Sequence, residues 1–354
     1  MESECWNISL EGSDTTVNVG SEADAFSSRD LLSDDLAHIF TLANFVVISG
    51  TVSLFGLIFN LINIAVFSKL DFSDTTNITL LSLSIADAGI LLTLIWLSLC
   101  YNPLVAKSFP NLDFMAIQHV SGGWPNICFS RVSGWLTVFI TFERYLCIAA
   151  PLKVKTILTP SRTVAINVII YVIMAAAVVP VYLACRLEPS FSPSLNRSVI
   201  SLVYGEYGHE LESFSLSFNV FAQLTAFTLV VLCTTGLTRT FLHKVQWRNK
   251  ASSSGSNAGM STRDKKLVKM IILIAAIFIV SSLPGVVGIL AMSCYEDYNI
   301  TGRYKNLFVT SWAFFFTLGS INSTVNIFVY LYMSTKFRET LLSIFRLGQR
   351  LKKT

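Results

Sequence analysis

The sequence predicts an all-α membrane protein, a bundle of seven transmembrane helices followed by a short amphipathic interfacial helix. Only 14% of the 354 residues are charged, 53% are hydrophobic and the mean hydropathy is +0.59, whereas a soluble domain carries roughly 25% charged residues. Seven apolar runs are each long enough to cross about 30 Å of hydrocarbon. They lack the alternation of barrel strands, and a backbone in lipid must satisfy its own hydrogen bonds, so each run is predicted to be a helix.

The predicted spans divide the chain into three regions. An acidic tail over 1–40 is expected to be extracellular, disordered and glycosylated, the seven-helix domain covers 41–333, and an interfacial helix with a basic cytoplasmic tail covers 334–354. The tail lacks the apolar core of a signal peptide, so the first span is expected to act as its own insertion signal. The spans are predicted at residues 41–67, 77–101, 121–147, 163–185, 212–240, 267–293 and 306–333.

Two patterns, the distribution of basic residues and the positions of glycosylation sequons, predict that the N-terminus lies outside and the C-terminus inside. Lys and Arg gather in the loops after spans 3 and 5 and in the C-terminal tail, which are therefore cytoplasmic by the positive-inside rule. Glycosylation sequons at Asn7, Asn196 and Asn299 all fall in loops that this orientation places outside. Termini on opposite sides require an odd number of spans. We expect a multi-pass protein of the plasma membrane.

Span 2 carries a carboxylate, Asp87, deep in an apolar run. An isolated charge there is costly, so Asp87 is expected to be neutralised, hydrogen-bonded or paired with a cation. The candidate partners on spans 3 and 7 are Ser133, Asn322, Ser323 and Asn326. A protonated Asp in a purely structural polar network is the alternative interpretation.

Span 3 ends in the charged triplet Glu143-Arg144-Tyr145, and Pro151-Leu152 follows in a basic loop. Ionisable residues in a membrane span indicate a functional site by default. The alternative is an ordinary Arg that extends from a helix end to the membrane surface.

The last two spans carry further motifs. Pro284 in span 6 removes one backbone hydrogen bond and is expected to kink that helix. Span 7 ends with Asn326 and Tyr330 four residues apart. The segment from Ser334 onward is amphipathic, which predicts a helix lying in the inner interface.

These motifs together, over about residues 40–346, resemble the rhodopsin-like family of G-protein-coupled receptors. The resemblance implies that Glu143 and Arg144 satisfy each other in the inactive receptor and that Arg144 is freed toward a heterotrimeric G protein on activation. The implied switch and coupling residues are Glu143, Arg144, Tyr145, Leu152, Asn326 and Tyr330. The resemblance also implies that Asp87, Ser133, Asn322 and Asn326 hold an allosteric Na⁺, with no other cofactor required.

The resemblance assigns the ligand pocket to Tyr101, Asn126, Ile127, Ser130, Ile289, Phe316 and Ser320, with Leu97 and Gly285 beside them. Amine receptors have Asp where Asn126 stands, and visual pigments have a Lys where Ser320 stands, which argues against an amine or retinal. Acidic residues near the mouth either meet a basic peptide or are solvated loop charges. The ligand is expected to be a peptide or a chemosensory small molecule.

Several positions depart from the family pattern. Ser282 replaces the family's Trp in span 6, Ile327 replaces its Pro in span 7, and His119 stands where the outer end of span 3 has Cys. A Cys100–Cys185 disulfide is a candidate replacement, with Cys5–Cys294 as a second, and the sequence does not fix the connectivity. These departures resemble divergent invertebrate receptors, of the molluscan chemosensory type or the neuropeptide type.

The sequence gives less support to two other function classes. A transporter of a small solute is the alternative, but we see no internal repeat. A membrane enzyme lacks support, because the chain has no zinc motif, no nucleophile elbow and no phosphate-binding loop. The sequence therefore predicts a receptor in the bilayer, not an enzyme, with a G protein and an extracellular ligand as partners and no role in binding nucleic acid.

Overall fold

Seven long apolar helices confirm the predicted bundle. The computed structural model describes residues 32–192, 197–251, 262–300 and 302–351. The predicted tail over 1–40 ends earlier than expected, because the Ser33 hydroxyl caps a helix that begins at Asp34. In the described part of the chain, spans 1 to 7 extend over Asp34–Phe67, Thr75–Cys100, Phe114–Ala149, Pro160–Ala184, Gly208–Gln246, Lys265–Cys294 and Lys305–Met333.

Several spans are built from more than one helix. π-Helical turns at Ala43–Ser49 and His119–Gly123 join the segments of spans 1 and 3, and Pro180 lies in the first turn of the helix that completes span 4. The α-helices are α1 Asp34–Leu42, α2 Gly50–Phe67, α3 Thr75–Cys100, α4 Pro103–Ser108, α5 Phe114–Gln118, α6 Trp124–Ala149, α7 Pro151–Ile157, α8 Pro160–Ala176, α9 Val179–Ala184, α10 Gly208–Ala251, α11 Thr262–Cys294, α12 Lys305–Met333 and α13 Thr335–Leu351.

A β-hairpin between spans 4 and 5 was missed by the sequence analysis. Strand β1 (Cys185–Ser192) pairs antiparallel with β2 (Arg197–Tyr204), and Cys185 lies opposite Tyr204. The hairpin is bound to the loop before span 3, because Asp113 N–H donates to Ile200 O (3.0 Å) and Ser201 Oγ donates to Asp113 Oδ2 (3.1 Å). The outer end of span 3 is thereby bound to this loop.

Close contacts between spans depend on small residues. A Cβ built on Gly56 of span 1 would lie 2.1 Å from Thr324 Oγ1 of span 7, and one on Gly89 of span 2 would lie 2.6 Å from the Phe129 ring of span 3. In lipid, helix association relies on van der Waals packing, and small residues allow it.

The helix after span 7 is present as predicted. Phe337 of α13 is fully buried, and its ring centroid lies 5.4 Å from that of Phe67 and 5.5 Å from that of Tyr330. These contacts anchor α13 against the C-terminal ends of spans 1 and 7.

The outward faces of spans 6 and 7 are apolar and exposed, as a lipid-facing surface requires. On span 6 this exposed stripe includes Leu283, Val287 and Leu290, and on span 7 it includes Phe314, Ile321 and Phe328. The regular helical spacing of each stripe fixes which side of the helix faces the interior of the bundle.

Candidate functional site

The carboxylate of Asp87 lies at the centre of a buried polar cluster that joins spans 2, 3 and 7. Ser133 Oγ and Ser323 Oγ donate to Asp87 Oδ1 (3.0 and 3.1 Å), and Asn326 Nδ2 donates to Oδ2 (2.8 Å). All four residues are buried. Three hydrogen bonds offset part of the cost of burying a carboxylate.

One predicted member of this cluster was wrong. Asn322 is half-buried and makes no hydrogen bond to Asp87 in the described structure, and its neighbour Ser323 makes the contact instead. The reason is helical rotation, since successive residues of a helix point about 100° apart. The peptide carbonyl of Ser323 also accepts from Asn60 Nδ2 (2.8 Å), which adds span 1 to the cluster.

The chemistry of this cluster fits a hard cation. Asp87, Ser133 and Ser323 bring carboxylate and hydroxyl oxygens to one buried place, where the Asn326 amide N–H also contacts the carboxylate. Hard cations prefer oxygen ligands. In the described structure no Lys or Arg is paired with Asp87, so the negative charge has no protein counter-ion there.

The C-terminal end of span 3 holds the second functional cluster. Arg144 Nη2 lies 3.3 Å from Glu143 Oε1 and 3.4 Å from Asp74 Oδ1, and Thr75 Oγ1 donates to the same Glu143 oxygen. Glu143 is almost fully buried, whereas Asp74 is about a quarter exposed, with a side-chain exposure of 28%. The arrangement binds Arg144 to two carboxylates, one of them on a different element.

Sequence reasoning found Glu143 as a partner of Arg144 but missed Asp74 and Thr75. Asp74 is the N-cap of span 2, where its carboxylate accepts from Thr76 N–H (3.2 Å). Asp followed by an apolar helical run is a cap signal that the sequence offered. The contact with Arg144 depends on how spans 2 and 3 pack, which no local pattern reveals.

The other predicted switch residues lie near these clusters. Tyr145 packs on span 5, where a Cβ on Gly236 would lie 3.4 Å from its ring, and Tyr330 is buried with its ring edge-on to Phe67 at 5.0 Å. Ile327 is buried. Leu152 lies in α7, and its side chain is outside the described part of the structure.

Span 6 continues through Pro284 as one helix, α11, so the kink stays a prediction. Its interior face meets spans 3 and 5 at a three-helix junction. A Cβ on Gly134 of span 3 would lie 3.4 Å from the Phe278 ring of span 6 and 3.8 Å from the Ala226 Cβ of span 5. Spans 3, 5 and 6 therefore approach one another closely at Gly134, Ala226 and Phe278, which we call the three-helix junction.

The predicted pocket residues differ in their contacts and in their burial. Tyr101 stacks on Phe45 (centroids 4.5 Å apart) and Phe316 lies 5.7 Å from the same ring, so spans 1, 2 and 7 meet there. Asn126 and Ser320 are buried; Asn126 Nδ2 donates to Thr93 Oγ1 (2.9 Å) and Ser320 Oγ donates to Thr317 O (2.8 Å). Ile127 and Ser130 are half-buried on span 3, and Ile289 is buried on span 6.

The N-terminal ends of spans 3 and 5 are joined by a side-chain contact between His119 and Glu212 that sequence reasoning missed. His119 Nε2 lies 2.7 Å from Glu212 Oε1, and the Trp124 indole N–H points to the same imidazole nitrogen at 3.3 Å. Burial, and then a hydrogen bond to Glu212, raise the pKa of Tyr204 on β2, so its phenol stays protonated. His119 therefore makes a non-covalent contact at the position where the family pattern has Cys.

The predicted Cys100–Cys185 disulfide is wrong for this structure. Among the described residues both thiols are free and buried, and Cys294 is free and exposed. Cys185 Sγ points back toward α9, the helix that precedes it, and donates to Val181 O (3.2 Å). The sequons at Asn7 and Asn196, and Cys5, lie outside the described residues, whereas Asn299 lies in the turn after span 6, where its amide donates to Glu296 O (2.5 Å).

Comparisons with known proteins agree with this geometry. A family model described as "7 transmembrane receptor (rhodopsin family)" matches residues 60–330. The growth hormone secretagogue receptor type 1 of Mus musculus is 25% identical over an alignment of 358 positions, which covers 97% of this chain and 92% of that protein. The same receptor of Homo sapiens is 26% identical over 92% of this chain and 86% of its own. The somatostatin receptor type 2 of Sus scrofa is 25% identical over 95% of this chain and 83% of its own.

Proposed function

The chain belongs to the rhodopsin family of seven transmembrane receptors, and from this premise we propose that it is a peptide receptor whose signal ends in the release of Arg144. It is a G-protein-coupled receptor for an extracellular ligand, and the comparisons lend no support to a transporter. The observation that carries the proposal is the attachment of Arg144 to Glu143 and Asp74 at the inner end of span 3.

The proposed mechanism is a population shift. In the resting state Arg144 is bound by the two carboxylates, and its side chain is only 12% exposed. A ligand that binds the active state more tightly moves the equilibrium toward it. Arg144 then leaves both carboxylates and contacts the G protein, together with Leu152 in α7. The dense apolar packing around Tyr330, Phe67 and Phe337 supports a two-state rather than a gradual rearrangement.

We further propose that the Asp87 cluster holds Na⁺ in the resting receptor. Asp87, Ser133 and Ser323 would hold the ion, with Asn326 beside them. Bound there, Na⁺ supplies the positive charge that the buried carboxylate lacks. The cluster joins spans 2, 3 and 7, so a movement of span 7 would change which oxygen atoms are available to hold the ion. Sodium binding is then linked to the resting state.

The ligand is proposed to be a peptide that enters from the outer face. The relatives named for growth hormone secretagogues and for somatostatin favour this over a chemosensory small molecule. A shallow, half-open depression of about 200 Å³ lies beside the hairpin of β1 and β2, and its lining residues include Arg186, Glu188 and Tyr204. We place the receptor in the plasma membrane with its N-terminus outside, as the basic inner loops support.

A panel of G-protein activation sensors tests this function. Cells expressing the receptor are exposed to peptide pools, and Arg144→Ala is compared with Arg303→Ala, an exposed Arg in the turn before span 7. We expect Arg144→Ala to lose coupling while Arg303→Ala retains the basal signal, at equal surface expression. Equal signalling by Arg144→Ala and the wild type would show that Arg144 is not the coupling residue.

A further inference from the structure

A second arginine, Arg131, lies within span 3 and has no role in the switch described above. Its Nε is fully buried and has no hydrogen-bond partner among the described residues, and no carboxylate in that part of the chain pairs with it. The two buried carboxylates of the described structure, Asp87 and Glu143, are engaged elsewhere. An uncompensated cation at membrane depth is costly and indicates a functional site.

The three-helix junction shows where the Arg131 side chain lies. Arg131, Gly134 and Val138 have the spacing of a single helical face, and Val138 packs with Ala226 and Phe278 in one hydrophobic cluster. Since span 3 runs inward from the outer side, Arg131 lies about one turn outward of Gly134. Arg131 is therefore placed just above the junction, on the face directed toward spans 5 and 6.

Span 5 places further unpaired polar atoms on the outer side of the three-helix junction, where Arg131 also lies. Ser215 Oγ and Asn219 Oδ1 are buried without hydrogen-bond partners in the described structure. They share one buried stripe of span 5 with Ala222 and Ala226, and Ala226 is the residue that faces Gly134. Along span 5 both lie between Ala226 and the outer contact of Glu212 with His119, as Arg131 does along span 3. Neutral groups can accept hydrogen bonds from a guanidinium, but they do not balance its charge.

The interior face of span 6 borders open space on the outer side of the three-helix junction. Phe278, Ser282, Gly285 and Ile289 form the face of α11 opposite its lipid-facing stripe, and a Cβ on Gly285 would meet nothing within 4 Å. The same holds for Gly319 on span 7, which is also opposite a lipid-facing stripe. Ser282 lies one turn outward of Phe278, where the family pattern has the much larger Trp. The interior of the bundle is therefore open beside Gly285 and Gly319.

We propose that Arg131 binds a carboxylate of the ligand in this space between spans 3, 5 and 6. A planar guanidinium pairs with a carboxylate through two parallel hydrogen bonds, and a carboxylate supplies the missing negative charge. The pocket thus has the reverse polarity of an amine site, with neutral Asn126 near its outer part and a cation deeper inside. The inference deepens the proposed peptide receptor function: the peptide inserts a free C-terminal carboxylate or an acidic side chain.

The first test measures the thermal stability of the purified receptor without knowledge of the natural peptide. Acetate, butyrate and hexanoate are compared with their neutral amides and with chloride, all as sodium-matched solutions. We expect at least one carboxylate to raise the wild-type Tm by about 2 °C or more over its amide, with no such difference in Arg131→Met. If no carboxylate does so, or if chloride is as effective, the proposal is wrong.

Two variants of Arg131 and one surface control separate loss of the site from misfolding. Arg131→Met removes a charge that has no carboxylate partner among the described residues, so its ligand-free Tm is expected to equal or exceed that of the wild type, and Arg303→Met serves as the surface control. Arg131→Gln retains hydrogen bonding without charge and is expected to lose the carboxylate effect as well. A carboxylate effect that survives in both Arg131 variants would contradict the assignment.

A second measurement separates this inference from the proposed function. Peptide pools are prepared as free acids and as C-terminal amides and applied to the G-protein sensors. An active peptide acid is expected to be about 100-fold weaker on Arg131→Met, in line with the loss of a buried charge pair. If carboxylates stabilise the wild type through Arg131 while every sensor stays silent, the site stands and the proposed coupling fails. Equal potency on both receptors overturns the site alone.

Discussion

Arg144 Nη2 lies 3.4 Å from Asp74 Oδ1, so the inner end of span 3 is held by the residue that starts span 2. The same guanidinium contacts its neighbour Glu143 at 3.3 Å. Two carboxylates therefore share one cation at the membrane boundary. Of the two, only Asp74 lies on an element separate from span 3, so it is the contact that couples Arg144 to the rest of the bundle.

Removing the charge of Asp74 is expected to raise basal signalling. Asp74→Asn retains a side chain that can cap span 2 but loses the ion pair, and a partly exposed pair contributes about 0.5–1 kcal/mol, or roughly a 2–5-fold change in the resting equilibrium. The measurement is ligand-free G-protein activation at equal surface expression. Asp71→Asn is the matched control, because Asp71 contacts Ser73 and not Arg144. An equal rise in both variants would contradict the pairing.

Sodium sensitivity is expected to depend on Ser323 and not on Asn322. Replacing sodium by choline should increase peptide affinity by ~5-fold or more in the wild type, the range of a typical allosteric coupling. Ser323→Ala and Asp87→Asn should lose this effect because each removes an oxygen from the cluster, whereas Asn322→Ala should retain it. Radioligand or fluorescent-peptide binding in the two salts provides the measurement. Loss of the effect in Asn322→Ala alone would favour the original sequence prediction over the structure.

Substituting glycines by alanine is expected to lower thermal stability at closely packed positions and to leave it unchanged at open ones. Gly89→Ala places a methyl group 2.6 Å from the Phe129 ring, so overpacking should destabilise the receptor by about 1–3 kcal/mol. Gly285→Ala meets no atom within 4 Å and should leave thermal stability nearly unchanged. Thermal unfolding of both purified variants measures the difference. A drop for Gly285→Ala as large as that for Gly89→Ala would show that the space beside span 6 is not open.

Thiol labelling on intact cells tests both the orientation and the absence of the Cys100–Cys185 disulfide. In a Cys5→Ser background, a membrane-impermeant maleimide should label Cys294, which is exposed at the outer end of span 6. Cys185 should resist labelling until the protein is unfolded, because burial raises the pKa of its thiol and lowers the reactive thiolate fraction. After unfolding without reductant, labelling should reach Cys100 and Cys185 as well. Their continued resistance would indicate a disulfide.

The structural features that depend on segment length, composition and short motifs could be predicted from the sequence. Seven apolar runs, the acid in span 2 and the triplet at the end of span 3 predicted the bundle and both polar clusters. The hairpin was missed, although β2 contains the β-branched residues Val199, Ile200 and Val203, which favour a strand. Arg131 was also detectable from sequence, as a charge inside an apolar run.

Other features require the packed structure. Whether Asn322 or Ser323 reaches Asp87 depends on the rotation of span 7, and neighbouring polar residues give no pattern that decides it. The contact of Asp74 with Arg144 joins residues that lie 70 positions apart. The pairing of His119 with Glu212 spans 93 positions, and its carboxylate lies on a different span. Such contacts follow from how the helices pack, which periodicity alone does not specify.

The most direct test of the account is the dependence of basal activity on Arg144. Ligand-free G-protein activation is measured for Glu143→Gln, Asp74→Asn and the double variant, each with Arg144 present and with Arg144→Ala. The account predicts that both single changes raise basal activity, that the double variant exceeds either, and that Arg144→Ala returns all three to background. Raised activity that persists without Arg144 would contradict the claim that release of this arginine is the signal.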